Sequence, residues 1–293
     1  MLAGITPEYI SSITPPDTVC LTTCHRLEFY SNKPFKLSRP PKELAEDWNS
    51  IEGLENVLKR LAAISCGANS KILGENFIGF QSMRPFLKTP VTNLPFKLID
   101  KAFEISQRVK ALHNFETKFS YDTAAYQLLR STNQNKPENL IIIGGGLLGQ
   151  HISRHSNAKD YLKVTIITKQ VKKCKADILH GENKDLIEVV NIDNFIPPKS
   201  FDVIIATNIN DDSYKNILIK LVNNRESGAT VDFCAVPLFE SSNQSKLRYS
   251  TMYDKEFMEL VKSANNSLID IRPKVLENID SMIKLLVRKG SKD

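Results

Sequence analysis

Residues 139–149 read Asn139-Leu140-Ile141-Ile142-Ile143-Gly144-Gly145-Gly146-Leu147-Leu148-Gly149, and this stretch decides the fold. Leu140 to Ile143 is an unbroken aliphatic run with no polar face, as a strand buried on both sides requires. The glycines follow at once, and a helix through Ser153 follows the glycines. In that setting a Gly-x-Gly-x-x-Gly pattern has a mechanism. Gly144 makes the tight turn, Gly146 lets the backbone approach a pyrophosphate, and Gly149 lets helix and strand pack closely. The pyrophosphate rests on the helix N-terminus, so Gly145, Leu147 and Leu148 belong to the same cradle. The alternative is a tight turn without a ligand.

Downstream, Val164–Ile167, Glu188–Val190, Val203–Ala206 and Thr230–Phe233 read as further strands. Strands alternating with helices predict a parallel, doubly wound, Rossmann-like sheet. Upstream, Leu54, Val57, Leu58 and Leu61 recur at helical spacing within 51–63, and helices are predicted over 96–112 and 123–129. Pro85, Pro90 and Pro95 punctuate the connection before the second of these, and the polar stretch 131–137 reads as a linker. After Tyr253 two amphipathic stripes predict helices, one through Leu260 and Val261, the other through Leu276, Ile279 and Ile283, with Pro273 between them. The expected fold is α/β, with an α+β domain at 1–135, a Rossmann-like domain at 136–250 and a helical tail at 251–293.

The end of the second sheet strand selects the cofactor. A site for NAD places an acid there, about 20 residues after the glycines, on the ribose hydroxyls. This chain has Thr168-Lys169-Gln170-Val171-Lys172-Lys173. A hydroxyl and cations suit a 2′-phosphate, so Thr168, Lys169 and Lys172 favour NADPH. The alternative is that these lysines are simply exposed.

The chain has 293 residues, 41% hydrophobic and 25% charged, with a formal net charge of +6. These are ordinary values for a soluble protein. The charge permits contact with a polyanion without requiring it. No apolar run approaches the ~18 residues of a membrane span, and residues 1–8 do not read as a signal peptide. Five scattered cysteines (20, 24, 66, 174, 234) suit reduced thiols in the cytoplasm better than a disulfide framework. Neither they nor the scattered His113, His151, His155 and His180 show a metal-binding spacing, and no metal is expected.

Cys24 lies in Val19-Cys20-Leu21-Thr22-Thr23-Cys24-His25-Arg26-Leu27-Glu28-Phe29-Tyr30. A cation beside a cysteine favours the thiolate, which is the nucleophile. Taken alone, the run reads first as a buried cysteine at a strand end with Arg26 and Glu28 as a solvated ion pair. A second segment, Gly67 to Gln81, changes that balance. Together with the glycine loop, the two segments resemble glutamyl-tRNA reductase. The family's Thr-Cys-Asn-Arg-x-Glu-hydrophobic-Tyr stretch is matched by Thr23 to Tyr30, with His25 in place of the asparagine. Its second block, Gly-Leu-x-Ser-x-x-x-Gly-Glu-x-Gln-Ile-x-Gly-Gln, is matched at Gly67, Ser70, Gly74, Glu75, Ile78 and Gln81.

The resemblance implies that Cys24 takes the glutamyl group from glutamyl-tRNA as a thioester, which hydride from NADPH reduces to glutamate-1-semialdehyde. It further implies a glutamate pocket lined by Thr23, His25, Arg26, Ser70, Glu75, Asn76, Phe77 and Gln81, and hand-over of the aldehyde to a downstream aminomutase. Read singly, Ser70 could cap a helix and Glu75 could face water, while Gly67 and Gly74 serve turns. The chain departs from the family at Arg60, where a histidine is expected, at Phe77 and at Phe80. The family's long C-terminal dimerisation domain is not expected in this sequence, so neither is dimerisation through it, and the tail stripes should fold back on the chain's own domains or pair weakly with a partner. Two alternatives remain: a non-catalytic relative that binds tRNA or a partner, and another NAD(P)-dependent dehydrogenase, such as one of siroheme synthesis.

Overall fold

The computed structural model describes residues 12–23, 26–35, 49–88, 94–132, 137–178, 183–207, 212–223, 225–234 and 248–290. They fall into two compact units, one of residues 1–119 with 261–293, the other of 120–260. The division at 119/120 precedes the polar linker, and residues 133–136 of that linker lie outside the described residues.

In the first unit, β1 (Val19–Thr23) and β2 (Arg26–Tyr30) pair antiparallel, with Leu21 opposite Glu28 and Thr23 opposite Arg26. Side chains alternate across a strand and partners share a face, so Val19, Leu21, Arg26, Glu28 and Tyr30 line one side. Val19 and Leu21 are fully buried there. They join a core with Leu58 and Leu61 of α1 (Leu54–Ser65), Phe86 of α2 (Ile78–Lys88) and Phe103 and Val109 of α3 (Phe96–Leu112). Tyr30 meets Phe86 edge-on, and Phe86 meets Phe103 likewise.

Helix α2 corrects the reading of Pro85 as part of a connection, for this proline lies inside a helix. A proline there removes one backbone donor and crowds the preceding turn. Burial of Ile78, Ser82 and Phe86 along one face of α2 outweighs that local penalty.

The second unit contains α4 (Tyr121–Thr132), β3 (Asn139–Ile143), α5 (Leu147–Arg154), β4 (Lys163–Thr168), α6 (Val171–Ile178), β5 (Ile187–Asn191), β6 (Asp202–Ile205), α7 (Asp212–Asn223), β7 (Thr230–Asp232) and β8 (Tyr249–Thr251). Its six strands are all parallel, in the order β5-β4-β3-β6-β7-β8. The order reverses beside β3, as in the doubly wound dinucleotide-binding sheet. Ile141, Ile143, Ile167, Val203 and Ile205 pack on one face with Leu218 and Leu221 of α7. Ile142 points to the other face, where α5 approaches at Gly149. Helices on both faces explain why the strands are continuous apolar runs.

The chain ends in α8 (Lys255–Ile269) and α9 (Arg272–Gly290), and the unit division falls within α8. Leu268, Val275, Ile279 and Ile283 are at most 3% exposed and belong to the core of the first unit. Burying each such side chain is worth roughly 1.5–3 kcal/mol, so the tail is an integral part of that unit. Among the described residues no helix is long and apolar enough to cross a membrane.

Candidate functional site

Cys24 and His25 lie outside the described residues, as does the side chain of Thr23. Within β2, Glu28 is the hub of a charged cluster. Its Oε1 accepts from Arg26 Nε at 2.9 Å and from Arg60 Nη2 at 2.6 Å, and its Oε2 accepts from the Tyr30 hydroxyl. The Arg26 and Glu28 side chains are 13% and 18% exposed, so this is not the solvated pair that the isolated run allows. Burial lowers the pKa of Arg26, opposed by the charge of Glu28, and the nearby charge of Arg60 lowers it further. Burial likewise lifts the Tyr30 phenol well above its ordinary range, and Glu28 adds to the rise. At Arg60 burial acts downward, but the hydrogen bond and charge of Glu28 outweigh it and raise the pKa.

The same Arg26 donates through Nη2 to the carbonyl of Asn69 at 2.5 Å. This joins the hairpin to the loop between α1 and α2, which carries the second sequence block. The loop turns at Gly67 and Gly74, with φ of +80° and +66°. A Cβ on Gly74 would lie 2.6 Å from the Phe115 carbonyl oxygen, so glycine is needed there on both counts. Lys110 of α3, nearly buried, donates to the Glu75 carbonyl at 3.0 Å and to Asn76 Oδ1 at 3.1 Å. Burial lowers its pKa, opposed by the charges of Cys66, Glu116 and Glu75. The Glu75 carboxylate also acts on Arg26.

Ser70 sits beside this junction. Its hydroxyl is buried and has no hydrogen-bond partner among the described residues. It therefore caps no helix, and a buried hydroxyl left unpaired is costly unless a ligand or water meets it. Phe77 is half-buried, and Gln81 is exposed on α2, its backbone N–H on the Phe77 carbonyl. Arg26, Glu28, Arg60, Ser70 and Glu75 are thus drawn together, whereas nothing links the side chain of Gln81 to them.

In the second unit Gly144 has φ +116°, and a Cβ there would lie 2.7 Å from the Ala206 carbonyl oxygen. A Cβ on Gly149 would collide with the Gly144 carbonyl oxygen. Both glycines are required by the β3–α5 turn itself. Gly146 differs: it is the exposed N-cap of α5, and a Cβ there would meet nothing within 4 Å. Open space at a helix N-terminus is what a phosphate needs. A Cβ on Gly145 would come within 3.0 Å of Thr168 Oγ1, so the glycine turn and the end of β4 adjoin. Thr168 is buried and its Oγ1 accepts from the Gln170 N–H. Lys169 and Lys172 are exposed; Lys169 Nζ lies 5.2 Å from the centre of the Tyr214 ring, and its N–H donates to the Tyr214 hydroxyl. Leu147 is exposed and Leu148 half-buried in the first turn of α5. The strand order and this turn form a nucleotide-binding fold.

No family model matches the chain. It is 26% identical over 268 residues to Protein nfe2 of Rhizobium meliloti, covering 90% of this chain and 86% of that one. It is 24% identical over 298 residues to the glutamyl-tRNA reductase of Thermosipho melanesiensis, covering 96% and 74%. The chain is a relative of the glutamyl-tRNA reductase family. The solved glutamyl-tRNA reductase from Methanopyrus kandleri aligns over 97% of this chain and 74% of its own, at 16% identity and a TM-score of 0.40.

Three residues carry no local sequence signal: Lys110, Asn265 and Arg272 all bind the loop around Ser70 from distant parts of the chain. Two of the histidines serve structure: His155 stacks on Tyr126 and its Nδ1 accepts from the Asn157 N–H, while His113 meets Asn278 at 2.7 Å; His180 lies outside the described residues. Among the described residues no group of three His, Cys, Asp or Glu could hold a metal.

Proposed function

We propose that the chain is an NADPH-dependent reductase that converts glutamyl-tRNA to glutamate-1-semialdehyde in the cytoplasm, supplying 5-aminolevulinate and tetrapyrrole synthesis. The observation that carries this reading is the hydrogen bond of Arg26, two residues beyond Cys24, to the loop that buries the unpartnered Ser70 hydroxyl.

In this reading the Cys24 thiolate attacks the ester carbonyl carbon. A carbon–sulfur bond forms, the ester carbon–oxygen bond breaks, and the tRNA terminal ribose leaves, its oxygen taking a proton. Arg60 cannot relay that proton, because its guanidinium is held protonated by Glu28; water must carry it. Arg26 stays on Glu28 through Nε and favours the thiolate or the substrate carboxylate by charge. Ser70, Glu75 and Asn76 supply directional polar contacts to the amino-acid head group. The open backbone at Gly146, with Gly144, Gly145 and Gly149 shaping the turn, holds the NADPH pyrophosphate, and Thr168, Lys169 and Lys172 read its 2′-phosphate. NADPH, when bound, supplies the hydride that turns the thioester carbonyl into an aldehyde and releases the Cys24 thiolate. The aldehyde is reactive, so its hand-over to an aminomutase belongs to the proposal.

The engagement of Arg60 with Glu28 favours a second reading, a non-catalytic relative that binds tRNA or a partner. Incubation with glutamyl-tRNA and NADPH, followed by trapping of the aldehyde, separates the two. Wild type should yield semialdehyde and Cys24→Ser none, with the same circular dichroism spectrum. No aldehyde from folded wild type would leave the non-catalytic reading.

A further inference from the structure

The loop that carries Ser70 is held by two side chains from the C-terminal tail. Asn265 of α8 accepts from the Leu73 N–H through Oδ1 at 2.8 Å and donates through Nδ2 to the Lys71 carbonyl at 2.8 Å. One amide thereby closes on both sides of Ile72, whose side chain is buried. Arg272, at the start of α9, donates through Nε to the Ala68 carbonyl at 2.7 Å, and its Nη2 is 3.4 Å from Asn69 Oδ1. The two clamps fall on either side of Ser70 in the chain. Asn69, which receives Arg272 on its side chain, receives Arg26 on its carbonyl. The backbone of an irregular loop has its polar groups to satisfy, and here three of them are satisfied by the tail. Among the described residues the Ser70 hydroxyl is the one buried side-chain polar atom of this loop without a hydrogen-bond partner.

We infer that Asn265 and Arg272 are positioning residues: the tail fixes the loop so that the Ser70 hydroxyl faces the glutamyl group. This rests on the function proposed above. It gives the tail a task in substrate selection, separate from its burial in the core through Val275, Ile279 and Ile283. Neither residue touches the substrate, so each acts through Ser70, and its effect vanishes when the Ser70 hydroxyl is gone.

The test is a double-mutant cycle on the full chain. The probe is glutamyl-tRNA in which an amide replaces the ester, with uncharged tRNA alongside. Asn265→Ala should weaken binding of the amide-linked probe about fivefold to tenfold, the worth of one well-placed hydrogen bond, and leave uncharged tRNA unchanged. Ser70→Ala should do the same, and the double variant should lose no more than Ser70→Ala alone within about twofold. Arg272→Lys, which keeps the charge and loses the Nε donor, should fall in the same direction. Without any RNA, hydrogen exchange of the Leu73 amide should quicken in Asn265→Ala while the α1 amides stay protected. Losses that multiply in the double variant, equal losses for uncharged tRNA, or unchanged Leu73 exchange would each overturn the inference alone. A wild type that binds charged and uncharged tRNA equally would overturn the proposed function, and the inference with it.

Discussion

Replacing Glu28 with glutamine isolates the charge at the centre of the cluster. The amide keeps the shape and can still accept a hydrogen bond, but Arg26 and Arg60 then face each other without the carboxylate between them. Removing one partner of a fully buried ion pair costs about 3–5 kcal/mol, whereas an exposed pair is worth at most about 1 kcal/mol. The Arg26 and Glu28 side chains are 13% and 18% exposed, and that of Arg60 is 36% exposed. Glu28→Gln should therefore lie between the limits, at about 2–3 kcal/mol, or roughly 5–10 °C in Tm for a domain of this size. Arg60→Met removes the more exposed partner and should cost about 1 kcal/mol. Because Arg60 and Arg26 repel, the double variant should be more stable than the sum of the single losses by about 1 kcal/mol. Urea unfolding followed by far-ultraviolet circular dichroism measures all three. A Glu28→Gln loss no greater than that of Arg60→Met, or strict additivity, would refute the hub.

Gly146→Ala should fold at a cost of at most about 1 kcal/mol for the weaker N-cap and lose NADPH binding at least tenfold, whereas Gly144→Ala and Gly149→Ala should destabilise the second unit by more than that; thermal melts with NADPH titration separate them. Substituting Lys169 and Lys172 together by methionine should weaken NADPH more than NADH, about tenfold for two exposed contacts to one phosphate, as read by fluorescence titration; equal losses would remove these lysines from the 2′-phosphate. Burial pushes the Cys20 and Cys66 thiols up to about 11. Their thiolate fraction near pH 8 is then about one in a thousand. Iodoacetamide should accordingly modify Cys24 first, and mass mapping that found Cys66 labelled earlier would contradict this.

The sheet was legible because its strands are buried on both faces and need no periodicity to stand out. β3 and β4 lie within a residue of the boundaries expected from their aliphatic runs, and α3 spans the expected 96–112. β8 was not legible: Tyr249, Ser250 and Thr251 form no apolar run, and only pairing with β7 makes them a strand. Helix α7 did carry a signal in the spacing of Tyr214, Ile217, Leu218 and Leu221. Helix α2 was hidden by Pro85, a local breaker overridden by burial. The residue types of the site were readable, but their partners were not. Glu28 meets Arg60 across 32 positions, and Leu73 meets Asn265 across 192. Those pairings exist only once the core has brought α1, α8 and α9 onto the hairpin and its loop.

The central claim is a covalent one, and intact-protein mass spectrometry tests it most directly. Wild type incubated with glutamyl-tRNA in the absence of NADPH should gain the mass of one glutamyl residue, mapped to Cys24 and removed by hydroxylamine. Cys24→Ser should gain no hydroxylamine-labile mass, and adding NADPH to the wild-type adduct should discharge it as semialdehyde. An unmodified wild type under these conditions, or an adduct on any other residue, would contradict the account.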